Sequence, residues 1–176
     1  IMAIWTSRYS NKELAEHREK YYCVGISIGT PKFPLGYTLE QQCYSLAPKG
    51  YMLKMGKEEY QEAYYKKLED IGADRIIGMV GRMEAMAEVE GKDLVLLCYE
   101  DVRNLEDWCH RTMFAQWYCE HTGEIIEELK DPNQPKGKRT TQTKKDSKKP
   151  AAQEKAKNED SSYQQMSLFG MAGVTI

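Results

Sequence analysis

The chain predicts an α/β fold: a small, mostly parallel β-sheet flanked by helices, plus a disordered C-terminal tail. Three observations predict it. The uninterrupted apolar run Leu94-Val95-Leu96-Leu97-Cys98 behind Asp93 has the composition of a central strand buried on both faces, as in parallel sheets. Helical periodicity precedes and follows that run, and alternating strands and helices fold as helices packed on both faces of a sheet. Beyond Lys130 the apolar pattern stops altogether.

Taken in order, Met2 to Thr6 forms a short apolar strand that enters a polar loop, Ser7-Arg8-Tyr9-Ser10-Asn11. Tyr21 to Ile28, rich in β-branched and aromatic residues, is a second strand ended by Gly29-Thr30-Pro31. Phe33 to Tyr37 continues as irregular chain. Gly56 to Gly72 reads as a helix, because Tyr60, Tyr64, Leu68 and Ile71 recur on one face and Gly72 stands where a C-terminal cap belongs. Asp74 to Glu90 is the next helix, with Ile77, Val80 and Ala87 facing inward and Gly91 as its stop. After the central strand, Tyr99 to Asp107 is a polar loop. A helix from about Trp108 to His121 follows, with Cys109, Met113 and Trp117 in register, and Glu124 to Leu129 adds a last short strand.

Charge divides the 176 residues unevenly. The formal net charge is −2, but residues 1–129 carry 15 Lys/Arg against 22 Asp/Glu, whereas residues 130–160 carry 10 against 5. An acidic globular part is a poor platform for wrapping duplex DNA, whose non-specific affinity comes mainly from neutralised phosphates. Contact with DNA would therefore come from a local basic pocket, from the tail or through a partner. No stretch approaches the 18 apolar residues of a membrane span, and the first residues lack the basic and apolar regions of a secretory signal. Five cysteines, an odd number without close pairing, read as reduced thiols in a cytoplasmic protein. No G-x-x-x-x-G-K-(S/T) or G-x-G-x-x-G pattern follows a strand, so neither an NTPase nor a dinucleotide oxidoreductase is expected.

The residues that could carry chemistry gather where the central strand ends. Ligands of open α/β sheets bind beyond the carboxyl ends of the strands, at helix N-termini. Cys98 and Glu100 fall at such an end, and Cys109-His110-Arg111 opens the following helix. Arg8 and Ser10 join them on the same edge if the first strand neighbours the central one. The candidate catalytic residues are Cys98, Glu100 and His110, with a thiolate activated by imidazole or with acid/base exchange. Arg8, Ser10, Cys109 and Arg111 are candidates for binding an anionic ligand, and Arg111 could instead pair with Glu100. Cys98 could also be a small core residue. No metal is assigned: Cys98, Cys109 and His110 would supply three zinc ligands, but adjacent residues splay apart on a helix and no close Cys pair is present.

The run Leu96-Leu97-Cys98-Tyr99-Glu100, a loop, then Cys109-His110-Arg111 resembles the bacterial family called domain of unknown function 488. Thr6-Ser7-Arg8-Tyr9-Ser10 stands where that family usually has Asp-Val-Arg followed by a Ser or Pro segment. The resemblance covers about residues 2–129 and implies a compact α/β domain with a pocket at Arg8, Ser10, Cys98, Glu100, Cys109, His110 and Arg111. It implies no particular reaction.

The chain organises as a globular domain over 1–129, a charged linker over 130–162 and a tail over 163–176. Asp131 to Pro135 breaks the pattern, and from Lys136 to Asp160 alanines are the only apolar residues. Such a stretch cannot bury enough surface to offset the entropy of ordering, so it is expected to be disordered, with a reach of roughly 30 Å. It leads to Gln165-Met166-Ser167-Leu168-Phe169, which resembles the pentapeptide by which bacterial replication and repair proteins dock on the DNA sliding clamp, Gln-Leu-(Ser/Asp)-Leu-Phe. Met166 conserves the volume of the usual Leu. A docking peptide on a flexible arm raises local concentration towards the millimolar range.

The expected function is that of a bacterial or phage protein of DNA metabolism, tethered to the sliding clamp beta subunit. Its domain would bind or process a phosphate-bearing nucleotide or DNA ligand. Two alternatives stand beside it: a non-catalytic clamp-binding adaptor, and a cytoplasmic thiol- or zinc-dependent enzyme whose tail match is fortuitous.

Overall fold

A computed structural model describes residues 3–104 and 106–135. The tail over 163–176, with Gln165 to Phe169, and nearly all of the expected linker lie outside the described residues. The architecture is α/β, as the sequence predicts, and the sheet is parallel throughout. Its five strands are β1 (Ile4–Arg8), β2 (Tyr21–Gly25), β3 (Gln41–Gln42), β4 (Asp93–Cys98) and β5 (Glu127–Glu128), in the spatial order β3-β2-β4-β1-β5. The helices are α1 (Lys12–Glu16), α2 (Lys57–Ile71), α3 (Ala73–Val89) and α4 (His110–Thr122), with short 3-10 turns at Arg18–Lys20 and Gly50–Lys54. Among the described residues no helix is long and apolar enough to cross a membrane.

The apolar run in β4 takes the central position its composition demands. Leu94 and Leu96 face one side, with Ile4, Tyr22, Val24 and Ile26, under the helices α2, α3 and α4. Val95 and Leu97 face the other, with Cys23, Leu14 of α1 and Leu129. Among the described residues the second face has no long helix. Leu35, Tyr37 and Leu39 of the irregular segment cover it instead, and the Tyr37 hydroxyl anchors that segment by donating to the Tyr9 carbonyl at 2.8 Å.

The expected helices form where periodicity places them. α2 buries Tyr60, Tyr64 and Leu68, and α3 buries Ile76, Val80, Met83 and Ala87. Ile77, expected inward, is only half-buried, and Ile76 takes the inward position. Gly72 ends α2 and starts α3 at φ 100°, a backbone conformation that side chains with a Cβ strain to adopt.

Several boundaries differ from the sequence reading: the second strand ends at Gly25 rather than Ile28, and the last is confined to Glu127–Glu128. The first strand runs to Arg8 rather than stopping at Thr6, in parallel register that pairs Ser7 with Leu97 and Arg8 with Cys98. Both polar residues can be buried there because each has a partner. Asn11 donates its side-chain amide to the Ser7 hydroxyl at 2.9 Å, while Arg8 finds carboxylates. The chain also stays against the domain past Leu129. The Asp131 side chain is 5% exposed and accepts from Arg8, and the Asn133 carbonyl accepts from Arg103.

Candidate functional site

The register of β1, β2 and β4 brings Arg8, Gly25 and Cys98 to one edge of the sheet, and the segment after β4 folds back over it. Cys98 closes the strand, almost fully buried. Glu100 lies two residues on, at the surface, and α4 begins at His110.

Cys109 does not belong to the helix proper. It is the N-cap, with φ −147° and ψ 148°, so its side chain leaves an extended backbone while that of His110 leaves a helical one. This overturns the expectation that the two neighbours splay apart. Each sulfur, Cys98 Sγ and Cys109 Sγ, stands 3.7 Å from His110 Nδ1. Each thiol also donates to the same oxygen, Glu100 Oε2, at 3.0 Å. Four side chains from two stretches of chain, 98–100 and 109–110, therefore converge on one small volume.

The imidazole is held from two sides. Its Nε2 lies 2.7 Å from the Ile26 carbonyl, which can only accept, so Nε2 carries a proton. Nδ1, facing the sulfurs, then holds a lone pair in the neutral ring or a second proton in the imidazolium. Tyr64, whose hydroxyl donates to the Leu46 carbonyl at 2.6 Å, packs edge-on against the ring with centroids 5.4 Å apart.

The two thiols are electrostatically inequivalent. The hydrogen bond with Cys109, burial, and the negative charge of Cys109 and Glu100 push the Cys98 thiol far above its ordinary range. Burial would also raise Cys109, but hydrogen bonds from Cys98 and His110, with charge at His110 and Arg111, outweigh it and hold this thiol well below the usual value. Although the residue as a whole is exposed, desolvation of its carboxyl group against the two sulfurs, followed by the nearness of Cys109, raises the Glu100 carboxyl. Burial and charge thus set the two thiols apart, Cys109 as the more acidic and Cys98 as the less. Cys109 is only 2% exposed, so a nucleophilic role would need the overlying chain to move.

The arginines assigned to an anion already have partners within the chain. Arg111 is fully buried and bidentate to Glu128, with Nε to Oε2 at 3.1 Å and NH2 to Oε1 at 2.8 Å. Its remaining nitrogen donates to the Glu100 main-chain carbonyl at 2.8 Å, not to the Glu100 carboxylate. Thr6 also donates to Glu128 at 2.8 Å. Arg8 forms a second group, with Nε and NH2 each 2.6 Å from Asp131 Oδ2 and NH1 3.2 Å from Asp101. Arg103 clasps the same Asp101 through two nitrogens, at 2.7 and 2.6 Å. Ser10 sits just beyond β1 in an exposed turn, apart from the cluster.

Sequence reasoning missed Glu128, Asp101, Arg103 and Asp131. One signal pointed to them: two arginines expected near a buried strand end require carboxylates, and Glu127-Glu128 and Asp131 were the acidic residues of the next segment. A cleft of about 360 Å³ opens beside the cluster, lined by Arg8, Glu100, Asp101, Asn104, Glu106, Asp107 and Trp108. Four of these seven are carboxylates, so the approach to Glu100 is acidic.

Compared with known proteins, the chain matches no protein-family model, no curated protein and no solved structure.

Proposed function

We propose that this protein acts in bacterial DNA replication or repair, held at the sliding clamp by Gln165-Met166-Ser167-Leu168-Phe169, and that its α/β domain works through the cluster of Cys98, Glu100, Cys109 and His110. One observation carries the domain half: two buried thiols share a single carboxylate oxygen at 3.0 Å, beside an imidazole whose far nitrogen is tied to the main chain. Packing alone does not require that arrangement, because any pair of small apolar side chains would fill the space without polar partners. The clamp half is supported by the pentapeptide and by the charged, apolar-poor sequence before it.

A phosphate-bearing nucleotide or DNA ligand would approach along the cleft that Arg8 lines. Arg8 would have to exchange Asp101 or Asp131 for the phosphate, and the acidic lining opposes that exchange. The reading therefore puts the chemistry at the sulfurs and the targeting in the tail.

The test uses the full-length chain and a purified bacterial sliding clamp. Wild type is expected to bind, and a Leu168→Ala, Phe169→Ala variant to lose binding. No binding at concentrations on the order of tens of micromolar removes the clamp half. In cells, a Cys109→Ser strain that survives DNA damage like wild type, while the tail variant does not, converts the reading to a non-catalytic adaptor.

A further inference from the structure

We infer that Cys98, Cys109 and His110 form a zinc-binding site, with Glu100 as the fourth, exchangeable ligand at the mouth of the acidic cleft. The inference is independent of the clamp reading, since it concerns only atoms of the α/β domain.

The distances carry it. Zinc takes sulfur at about 2.3 Å and imidazole nitrogen at about 2.05 Å, so tetrahedral angles put bound sulfur and nitrogen about 3.6 Å apart. Both sulfurs lie 3.7 Å from Nδ1, and the three donor atoms all fall within 4.8 Å of one another. All three residues are buried, which favours a bound ion over a solvated one. Glu100 Oε2 is closer to the sulfurs, at 3.0 Å, because it now accepts their protons. A tetrahedral ion would widen each of those separations to about 3.6 Å. Glu100 is exposed, so rotation of its side chain can supply the difference without moving the core.

The surroundings fit a metal better than a bare thiol pair. A ligating histidine ordinarily donates its other N–H to a carbonyl or carboxylate, which fixes the tautomer and aims the lone pair. The Nε2 to Ile26 contact at 2.7 Å does this for Nδ1. Two thiolates with one imidazole select a borderline-soft ion, and hard cations such as magnesium and calcium prefer all-oxygen sites. On binding, the Cys98 and Cys109 thiols release their two protons to solvent, so the two thiolates balance the charge of the ion. Three strong ligands with a labile fourth is the pattern of a site that can admit water or substrate, whereas a closed four-ligand site is structural.

The probe is zinc alone, with the full-length chain purified by chelation under a thiol-free reductant. Competition against a chromophoric chelator is expected to give one ion per chain. Cys98→Ser and Cys109→Ser should each lower affinity beyond the roughly hundredfold upper end that losing a supporting partner costs, and Glu100→Gln by roughly tenfold. Cys119→Ser, remote from the cluster, should bind like wild type. Cobalt in place of zinc should show thiolate-to-metal charge transfer and the intense visible bands of tetrahedral geometry. Because serine variants could unfold, wild type supplies a second readout. Zinc added to wild type should release about two protons per chain, one from each thiol, read with a pH indicator. Absence of stoichiometric zinc in wild type, retention of full affinity in the serine variants, or zinc uptake without proton release would each overturn the assignment.

Discussion

Two clusters of polar side chains lie at the same end of the sheet, and they meet burial in opposite ways. In the clasp of Arg8, Asp101, Arg103 and Asp131, two guanidiniums face two carboxylates, so the charges balance within the chain. In the neighbouring cluster two thiols crowd one oxygen of Glu100, and an imidazole nitrogen faces two sulfurs rather than an oxygen. The first group is complete without a ligand and reads as architecture that ties residues 131–133 back to β1. The second holds more donor atoms for a cation than hydrogen bonding needs. The difference separates the residues that hold the fold from those available for chemistry, although sequence alone put Arg8 and Cys98 in one pocket.

The largest effect expected is at Arg111, which stands between the two groups. Arg111→Met would take the guanidinium from the Glu100 carbonyl and from the Glu128 carboxylate, which keeps only the neutral Thr6 hydroxyl. Breaking a buried pair in this way costs about 3 to 5 kcal/mol. Glu128 keeps 31% side-chain exposure, which points to the lower end of that range. Urea unfolding of the variant measures it, and adding Glu128→Gln should recover part of the loss. A cost below about 1 kcal/mol, the size of an exposed pair, would mean that Arg111 is free to serve a ligand and would erase the contrast.

A smaller effect tests the clasp itself. Arg8 and Asp131 keep only 11% and 5% side-chain exposure, so their pairing should register in a double-mutant cycle. Arg8→Ala, Asp131→Ala and the double variant should give a coupling of about 1 to 2 kcal/mol, within the range found for contacting residues. None of the three should change zinc binding if the clusters are separate. A loss of affinity in Asp131→Ala equal to that in Cys98→Ser would merge them into one site.

Most of the fold was legible because single segments declare it. The run at 94–98 has one stable place, the middle of a parallel sheet, and the spacing of Tyr60, Tyr64 and Leu68 fixes both the helix and its inward face. β3 was not legible. Gln41 and Gln42 carry no strand pattern, and they pair with Val24 and Gly25 only because an edge was open there. The site was half legible. Cys98, Glu100, Cys109 and His110 could be grouped from the position of the strand end. Their convergence depends on the extended backbone of Cys109, a dihedral that composition does not encode. The partners of Arg8 and Arg111 come from residues 101, 128 and 131, between 17 and 123 residues away along the chain, and the strand register rather than composition decides which carboxylate meets which arginine.

Lys67 offers the smallest effect and a control on the whole contrast, as a half-buried charge with no balancing group. Among the described residues its ammonium meets no carboxylate. It donates to the Ser45 carbonyl and lies 5.8 Å from the centre of the Tyr64 ring. Burial, followed by repulsion from Lys49, pulls its pKa down to about 8. In the unfolded chain it would titrate near the ordinary lysine value of about 10.4. Below pH 8 both states are charged and the folded state carries the full penalty. Between about 8 and 10.4 the unfolded chain binds more protons, so this group makes stability rise with pH. Cys23, pushed up to about 12 by burial, contributes the opposite slope. That slope is common to wild type and to Lys67→Met, and it cancels when one is subtracted from the other. The difference in stability should therefore shrink by on the order of 1 kcal/mol between pH 7 and pH 10, after allowing for solvent screening. A difference that stays flat across that range would show that the carbonyl and the ring compensate the ammonium fully, and that a charge here needs no counter-charge to be buried.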